Sequence, residues 1–337
     1  MSKDRLNSTI KNEILEKLRK EIGNDFSCEL DKRVSSTFKV GGAADITVKP
    51  KDEHELELCL QVLRGFSDEK IPFITLGSGS NILVADSGVK GVVVKLGEGF
   101  KEITFTGEIV TVGAAAILAK LTNTAGEQAL SGLESTLGIP GTVGGALVMN
   151  AGTDKGNIGD MVKSVSAMKI TGESIKLTSD QIDYQYRHSP FLGNNDIILT
   201  GAEIKLKNGD REEIKRKMDE LKERRTSRQP QGINTAGSTF KNIVDEAADA
   251  LIDRDPTLSG SHSRTKQTVA AGKLIDLAGC KGWSVKNAYI SECHANFIEA
   301  KEKATAQDIL DLIQRVQEKV YQKFSVDLEL EIQLIGF

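Results

Sequence analysis

Apolar residues recur at three- and four-residue intervals along much of the chain, and each such run predicts a helix with one buried stripe. Ile10, Ile14, Leu18 and Ile22 follow Ser8, a candidate N-cap. Leu56, Leu60 and Leu63 mark a helix over 52–64, and Leu118, Leu121 and Leu130 mark another. Asp210 to Arg228 is a charged helix with Ile214, Met218 and Leu221 as its stripe, and Val269 to Leu277 forms one that ends at Gly279. Thr305 and Asp308 have capping-box spacing ahead of Ile309, Ile313, Val316 and Val320. Strands are predicted around Ile46 and Val48, up to Leu76, over Ile109–Val112, over Ile197–Ile204 and between Val285 and Ile298. The last run alternates, with Val326, Leu328, Leu330, Ile332 and Leu334 on one face and Glu329, Glu331 and Gln333 on the other. Mixed segments of both periods predict an α+β fold.

Two segments break this pattern with glycine. Gly138 to Gly152, GIPGTVGGALVMNAG, interleaves five glycines and a proline with Ile139, Val143, Ala146, Leu147, Val148 and Met149. Glycine at that density serves a backbone at φ > 0 or one approached closely by another group. The apolar residues predict burial, so the N–H groups need partners. A bound cofactor or plain packing supplies them, the cofactor being the favoured reading; a flexible surface loop would be polar. Gly77-Ser78-Gly79-Ser80-Asn81 follows an apolar strand and offers N–H and hydroxyl donors suited to a diphosphate. Taken alone it reads equally well as a serine–glycine hairpin connection. It is no dinucleotide fingerprint, because Ile82 stands where GxGxxG needs glycine and no long helix follows. Together the two segments predict one extended, dinucleotide-sized cofactor held from two sides.

Arg187 in YQYRHSPF, residues 184–191, is either a rigid fork for a carboxylate or phosphate or a surface arginine stacked on Tyr186. Arg228, Gln229 and Pro230 mark a domain boundary. AGSTFKN, residues 236–242, then presents Ser238 with Lys241 and Asn242 close behind. Without a GxSxG elbow or a nearby histidine Ser238 is a poor nucleophile, but it can donate a proton. Residues 253–268 are polar and predict an exposed loop.

Length and charge narrow the function. A chain of 337 residues with 39% hydrophobic content suits two or three globular domains. A net charge of −4 and a pI of about 5.8 speak against a nucleic-acid-binding or membrane-surface protein. No stretch approaches the roughly 18 apolar residues of a membrane span, and the start lacks a secretory h-region, so a cytoplasmic protein is expected. Cys28, Cys59, Cys280 and Cys293 lack CxxC spacing and predict packed, reduced thiols, and His54, His188, His262 and His294 show no metal-ligand spacing.

TFKVGGAAD, LGSGSNILVADSGVKGVVVKL, GIPGTVGGALVMNAG, YRHSPF, AGSTFKN, AAGKLIDLAGCKG, HANFI and LELEIQLIG occur in this order. From about residue 34 onward the chain thereby resembles the UDP-N-acetylenolpyruvoylglucosamine reductase family of peptidoglycan precursor synthesis. The resemblance implies a two-part FAD-binding region on a PCMH-like flavin scaffold, followed by a smaller α+β substrate domain. The expected division is 1–30 for the first helix and lead-in, 31–228 for the FAD-binding region and 229–337 for the substrate domain. Non-covalent FAD would be held by Gly77, Ser78, Gly79, Ser80, Asn81, Gly138, Ile139, Pro140, Gly141, Thr142, Gly144, Gly145, Asn150 and Gly152. NADPH would supply hydride to FAD, which passes it to the enolpyruvyl group of the UDP-linked amino sugar. Ser238 matches the serine that protonates the resulting enol, and Arg187 and Glu331 match the pair around the substrate carboxylate. Tyr186, Lys241, Asn242, His294 and Asn296 complete the implied substrate site, and no metal is implied.

Some positions depart from the family pattern. Asn234 and Ile243 replace usual prolines around Ser238, which implies a less rigid turn, and 253–268 resembles an insertion. Residues 192–200 are too short for the tyrosine-bearing loop of one subgroup, so the chain resembles the subgroup without it. Two alternatives stand beside the reductase: another FAD-linked oxidase or dehydrogenase on the same scaffold, or a flavin- or nucleotide-sugar-binding homologue without turnover.

Overall fold

The computed structural model describes residues 5–66, 71–258, 261–262 and 267–337. The chain forms two compact units: one comprises the chain up to Val34, Ala43–Ser78 and Gly88–Lys222, the other Ser35–Gly42, Gly79–Ser87 and Glu223–Phe337. The expected division at 228/229 is linear, whereas the units interleave, because two short N-terminal segments pack with the C-terminal part.

The first unit holds two hydrophobic cores. One lies about a four-stranded sheet in the order Cys28–Leu30, Ala44–Val48, Val89–Val94, Phe73–Thr75, whose first pair is antiparallel and whose others are parallel. Helices Ser8–Ile22 and Glu53–Arg64 supply Ile14, Leu18, Leu56 and Leu60 to it. The first helix is capped one residue earlier than expected, since the Asn7 side chain, not that of Ser8, accepts from Ile10 N–H.

The fully buried Asp45 fastens the lead-in to this sheet. Its carboxylate accepts from Arg5 Nε at 2.6 Å, Leu6 N–H at 3.0 Å and Gly91 N–H at 2.9 Å. Asp45→Ala strands these donors and is expected to cost about 3 kcal/mol in urea unfolding. A loss below about 1 kcal/mol would mean that water replaces the carboxylate.

The second core lies about an antiparallel sheet in the order Ser174–Thr178, Val162–Lys169, Ile197–Lys205, Ile109–Gly113, Ile103–Thr106. Helices Leu118–Glu127 and Val143–Met149 contribute to it. Leu130, expected in the former helix, lies instead in the strand Leu130–Ser131, because Ala129 takes φ 56° and turns the chain out of the helix. In helix Arg211–Arg228 only Ile214 is buried, while Met218 and Leu221 are half-exposed, because the helix is charged nearly all round.

The core of the second unit collects about helix Ala306–Phe324, whose capping box forms as expected and whose Ile309, Ile313, Val316 and Val320 are buried. Asp86 adds a second cap, accepting from Ala306 and Gln307 N–H at 2.9 and 3.0 Å. Helices Asp245–Arg254 and Ala271–Leu277 join this core. The former was not legible because Ala248 and Leu251 are its only buried residues. Val269, expected at the start of the latter, ends the strand Gln267–Val269. The stretch expected as an exposed loop, 253–268, contains Gln267 and Thr268 of that strand and Ser261–His262, paired to it, while 259–260 and 263–266 lie outside the described residues. All four cysteines are free, and Cys293 is exposed rather than packed.

The terminal run is not one alternating strand. It bends at Glu331–Ile332, and only Gln333–Ile335 is regular, paired in parallel with Ile82–Val84. Leu334 is exposed in consequence, instead of sharing the inner face with Leu328 and Ile332.

Candidate active site

In the first unit the glycine segment is half helix. Thr142 caps Val143–Met149 by accepting from Gly145 N–H at 3.3 Å, and Asn150 ends the helix at φ 45°. Not all its glycines serve one purpose. Gly144 N–H donates to Ala114 O at 2.8 Å, and a Cβ on Gly144 would lie 3.0 Å from the Ala114 Cβ, so this glycine permits packing. Gly145 is exposed, and a Cβ there would meet only Thr142 Oγ1 at 3.5 Å. At Gly77 a Cβ would run into Thr142 Oγ1, so this glycine permits close packing against the cap of the second segment.

Among the described residues the N–H groups of Gly77, Ser78, Gly138 and Gly141 meet no protein acceptor. Gly138 and Gly141 take φ 72° and 134°, a backbone region that favours glycine. Main-chain donors without a protein acceptor fit the diphosphate of FAD.

The same helix end anchors Arg187. Asn150 Nδ2 donates to Gln185 O at 2.8 Å, its Oδ1 accepts from Gly159 N–H at 3.0 Å, and Ser189 Oγ donates to Val148 O at 2.7 Å. These bonds commit the Asn150 side chain to the protein. Gln185 and His188 exchange main-chain hydrogen bonds around a two-residue turn in which Arg187 has φ 51°. The guanidinium donates to Gly152 O at 2.8 Å and lies 5.1 Å from the Tyr186 ring centroid. Arg187 thus lies against Tyr186, as one reading had it, and its guanidinium is held at Gly152 O.

A non-glycine residue in this conformation stores about 1–2 kcal/mol. Arg187→Gly is expected to keep the melting temperature within a few degrees while turnover falls about 100-fold or more. A variant that melts much lower yet turns over normally would make Arg187 a scaffold residue.

In the second unit Ser238 lies in a short extended segment. Gly237 at φ 80° leads in, Ser238 bridges Phe297 and Phe240 bridges Leu330, both antiparallel. Asn296 acts as a substitute strand for Phe240: its Oδ1 accepts from Phe240 N–H at 2.9 Å and its Nδ2 donates to Phe240 O at 2.8 Å. A side chain so engaged positions the serine segment instead of offering itself to a ligand. His294 Nδ1 accepts from Asn296 N–H at 3.3 Å, which leaves the proton on Nε2. Burial lowers the His294 pKa, and the Lys281 charge lowers it further. The imidazole is neutral at pH 7.

Asn242 Oδ1 accepts from Ala271 N–H at 3.1 Å, and Lys241 pairs with Glu329 at 3.3 Å. Glu329 is 76% exposed, whereas Glu331 is half-buried, so the two are not equivalent neighbours on one face. The loss of prolines does not leave the serine turn unsupported. Asn234 and Ala300 exchange hydrogen bonds, with Ala300 N–H to Asn234 O at 2.9 Å and Asn234 Nδ2 to Ala300 O at 3.2 Å, and Ile243 opens a strand paired with Val269.

Comparison with known proteins matches residues 229–335 to the UDP-N-acetylenolpyruvoylglucosamine reductase C-terminal domain and residues 44–178 to an FAD-binding domain. A UDP-N-acetylenolpyruvoylglucosamine reductase of Clostridioides difficile (strain 630) is 38% identical over 300 residues, 89% of this chain and 90% of its own length. The chain belongs to the UDP-N-acetylenolpyruvoylglucosamine reductase family. The reductase of Anoxybacillus flavithermus is 36% identical over 96% of this chain and 99% of its own. The crystal structure of the Thermus caldophilus reductase superposes with a TM-score of 0.72 at 34% identity, covering 92% of this chain and 98% of the other. The α+β expectation holds, with an FAD-binding domain ahead of the reductase C-terminal domain.

Proposed function

We propose that this chain is an NADPH-dependent flavoenzyme that reduces the enolpyruvyl ether of UDP-N-acetylglucosamine to UDP-N-acetylmuramate, for peptidoglycan precursor synthesis in the cytoplasm. The observation that carries this reading is the 38% identity to a named reductase over nine-tenths of both chains. The motifs of the resemblance run through both matched domains.

FAD, when bound, accepts hydride from NADPH and supplies it to the substrate. Each remaining task falls to a side chain. Reduction of an enol ether drives negative charge toward its carboxylate, and Arg187 pairs with that carboxylate, held by Gly152 O and the Tyr186 ring. Ser238 delivers the proton to the enol carbon, and its segment is held by Asn296 through Phe240 and by Phe297. Glu331 in its protonated form would donate a hydrogen bond to the same centre, or it tunes the serine. Lys241 and the His294 Nε2–H contribute donors for the nucleotide sugar.

Anaerobic half-reactions test the function. NADPH should bleach the flavin, and the enolpyruvyl nucleotide sugar should restore its colour. An inactive homologue would bind FAD without substrate-dependent NADPH consumption. A different oxidase would be reoxidised by oxygen and not by the nucleotide sugar.

A further inference from the structure

We propose that the Asn81 side chain, although the resemblance counts Asn81 among the residues that would hold FAD, is a positioning residue for Glu331 that acts on reoxidation of the flavin by substrate and not on FAD binding. The inference rests on the reading of Glu331 given above. Asn81 immediately precedes the strand Ile82–Val84 and is tied twice to the terminal run: Gln333 N–H donates to Asn81 O at 2.9 Å, and Asn81 Nδ2 donates to Glu331 O at 3.0 Å. Gln333 Nε2 donates to the same Glu331 carbonyl at 3.0 Å. On its other side Glu331 N–H donates to Thr239 O at 2.9 Å, one residue from Ser238. The backbone of Glu331 is thus gripped between the serine segment and Asn81.

The grip matters because the chain bends at Glu331–Ile332. In a regular strand the pleat would aim the carboxyl; at a bend its direction is set by whatever holds the main chain. A group misplaced by about 1 Å can lose about 100-fold in rate, so one main-chain hydrogen bond is enough to be felt. Asparagine suits the task because its amide donates while the carbonyl of the same residue takes the Gln333 N–H.

Anaerobic stopped-flow on the holoenzyme tests this with Asn81→Ala, Glu331→Gln and the double variant. Asn81→Asp, which keeps the shape but is an acceptor only, serves if the alanine variant does not fold. Asn81→Ala should retain FAD and be reduced by NADPH within about twofold of wild type. Its limiting rate of flavin reoxidation by the enolpyruvyl nucleotide sugar should fall about tenfold with an unchanged half-saturating concentration. Added to Glu331→Gln, the change should cost less than about twofold more. Loss of FAD, or equal slowing of both half-reactions, would make Asn81 a cofactor ligand or scaffold residue and overturn the proposal. Additive losses in the double variant would show that Asn81 acts independently of Glu331. Wild-type reoxidation by Glu331→Gln would instead defeat the role of Glu331 itself, and the proposal with it.

Discussion

Gly145→Leu is expected to give a folded, colourless protein. The glycine is exposed on a helix, and a Cβ there meets only Thr142 Oγ1 at 3.5 Å, an ordinary van der Waals contact, so a side chain can be attached without strain at its first atom. Helix propensity alone favours the change by roughly 1 kcal/mol. If FAD lies against this exposed glycine, the isobutyl group occupies its place and affinity should fall at least about tenfold, or roughly 1.4 kcal/mol. Flavin absorbance after gel filtration, read beside a thermal melt, separates the two effects. Gly144→Ala is the contrasting change: its Cβ would press on Ala114 at 3.0 Å, so it should lower stability directly. A yellow Gly145→Leu protein with full flavin content would remove this position from the path of the cofactor.

Ser238→Ala is expected to leave reduction of FAD by NADPH intact and to slow reoxidation by the nucleotide sugar about 10² to 10⁴-fold. Only the second step needs a proton on the enol carbon. The change should not disturb the fold, because the Ser238 segment is held by main-chain pairing with Phe297 and by the Asn296 clamp on Phe240, and neither uses the hydroxyl. Solvent deuterium should slow the wild-type second half-reaction and not the first. Equal slowing of both half-reactions by the variant would point to a damaged site instead of a missing proton donor.

The amphipathic helices were readable from the chain because their determinants are local. The Thr305–Asp308 capping box and the stripe of Ile309, Ile313, Val316 and Val320 depend only on positions three or four apart, which a helix always makes neighbours. The family was readable too, from motifs in order, and so was the clustering of glycine where the chain needs positive φ at Gly138 and Gly141. Adjacent identical residues defeated the sequence. Gly144 and Gly145 look alike, and only the distance to Ala114 shows that one serves packing while the other is exposed with Thr142 Oγ1 at ordinary contact distance. Glu329 and Glu331 share a parity, yet the bend at 331–332 separates an exposed partner of Lys241 from a half-buried residue held by Thr239 and Asn81. The bend accompanies parallel pairing with Ile82–Val84, some 250 residues away in the chain. Asp45 and Asp86 were opaque for the same reason, and so were the main-chain bonds of Asn81 and Asn296, which the resemblance names only as ligand-binding residues. Each is an ordinary polar residue whose work is to satisfy main-chain groups brought to it from distant sequence, and a hydrogen bond of that kind exists only once the tertiary fold has put donor and acceptor within reach.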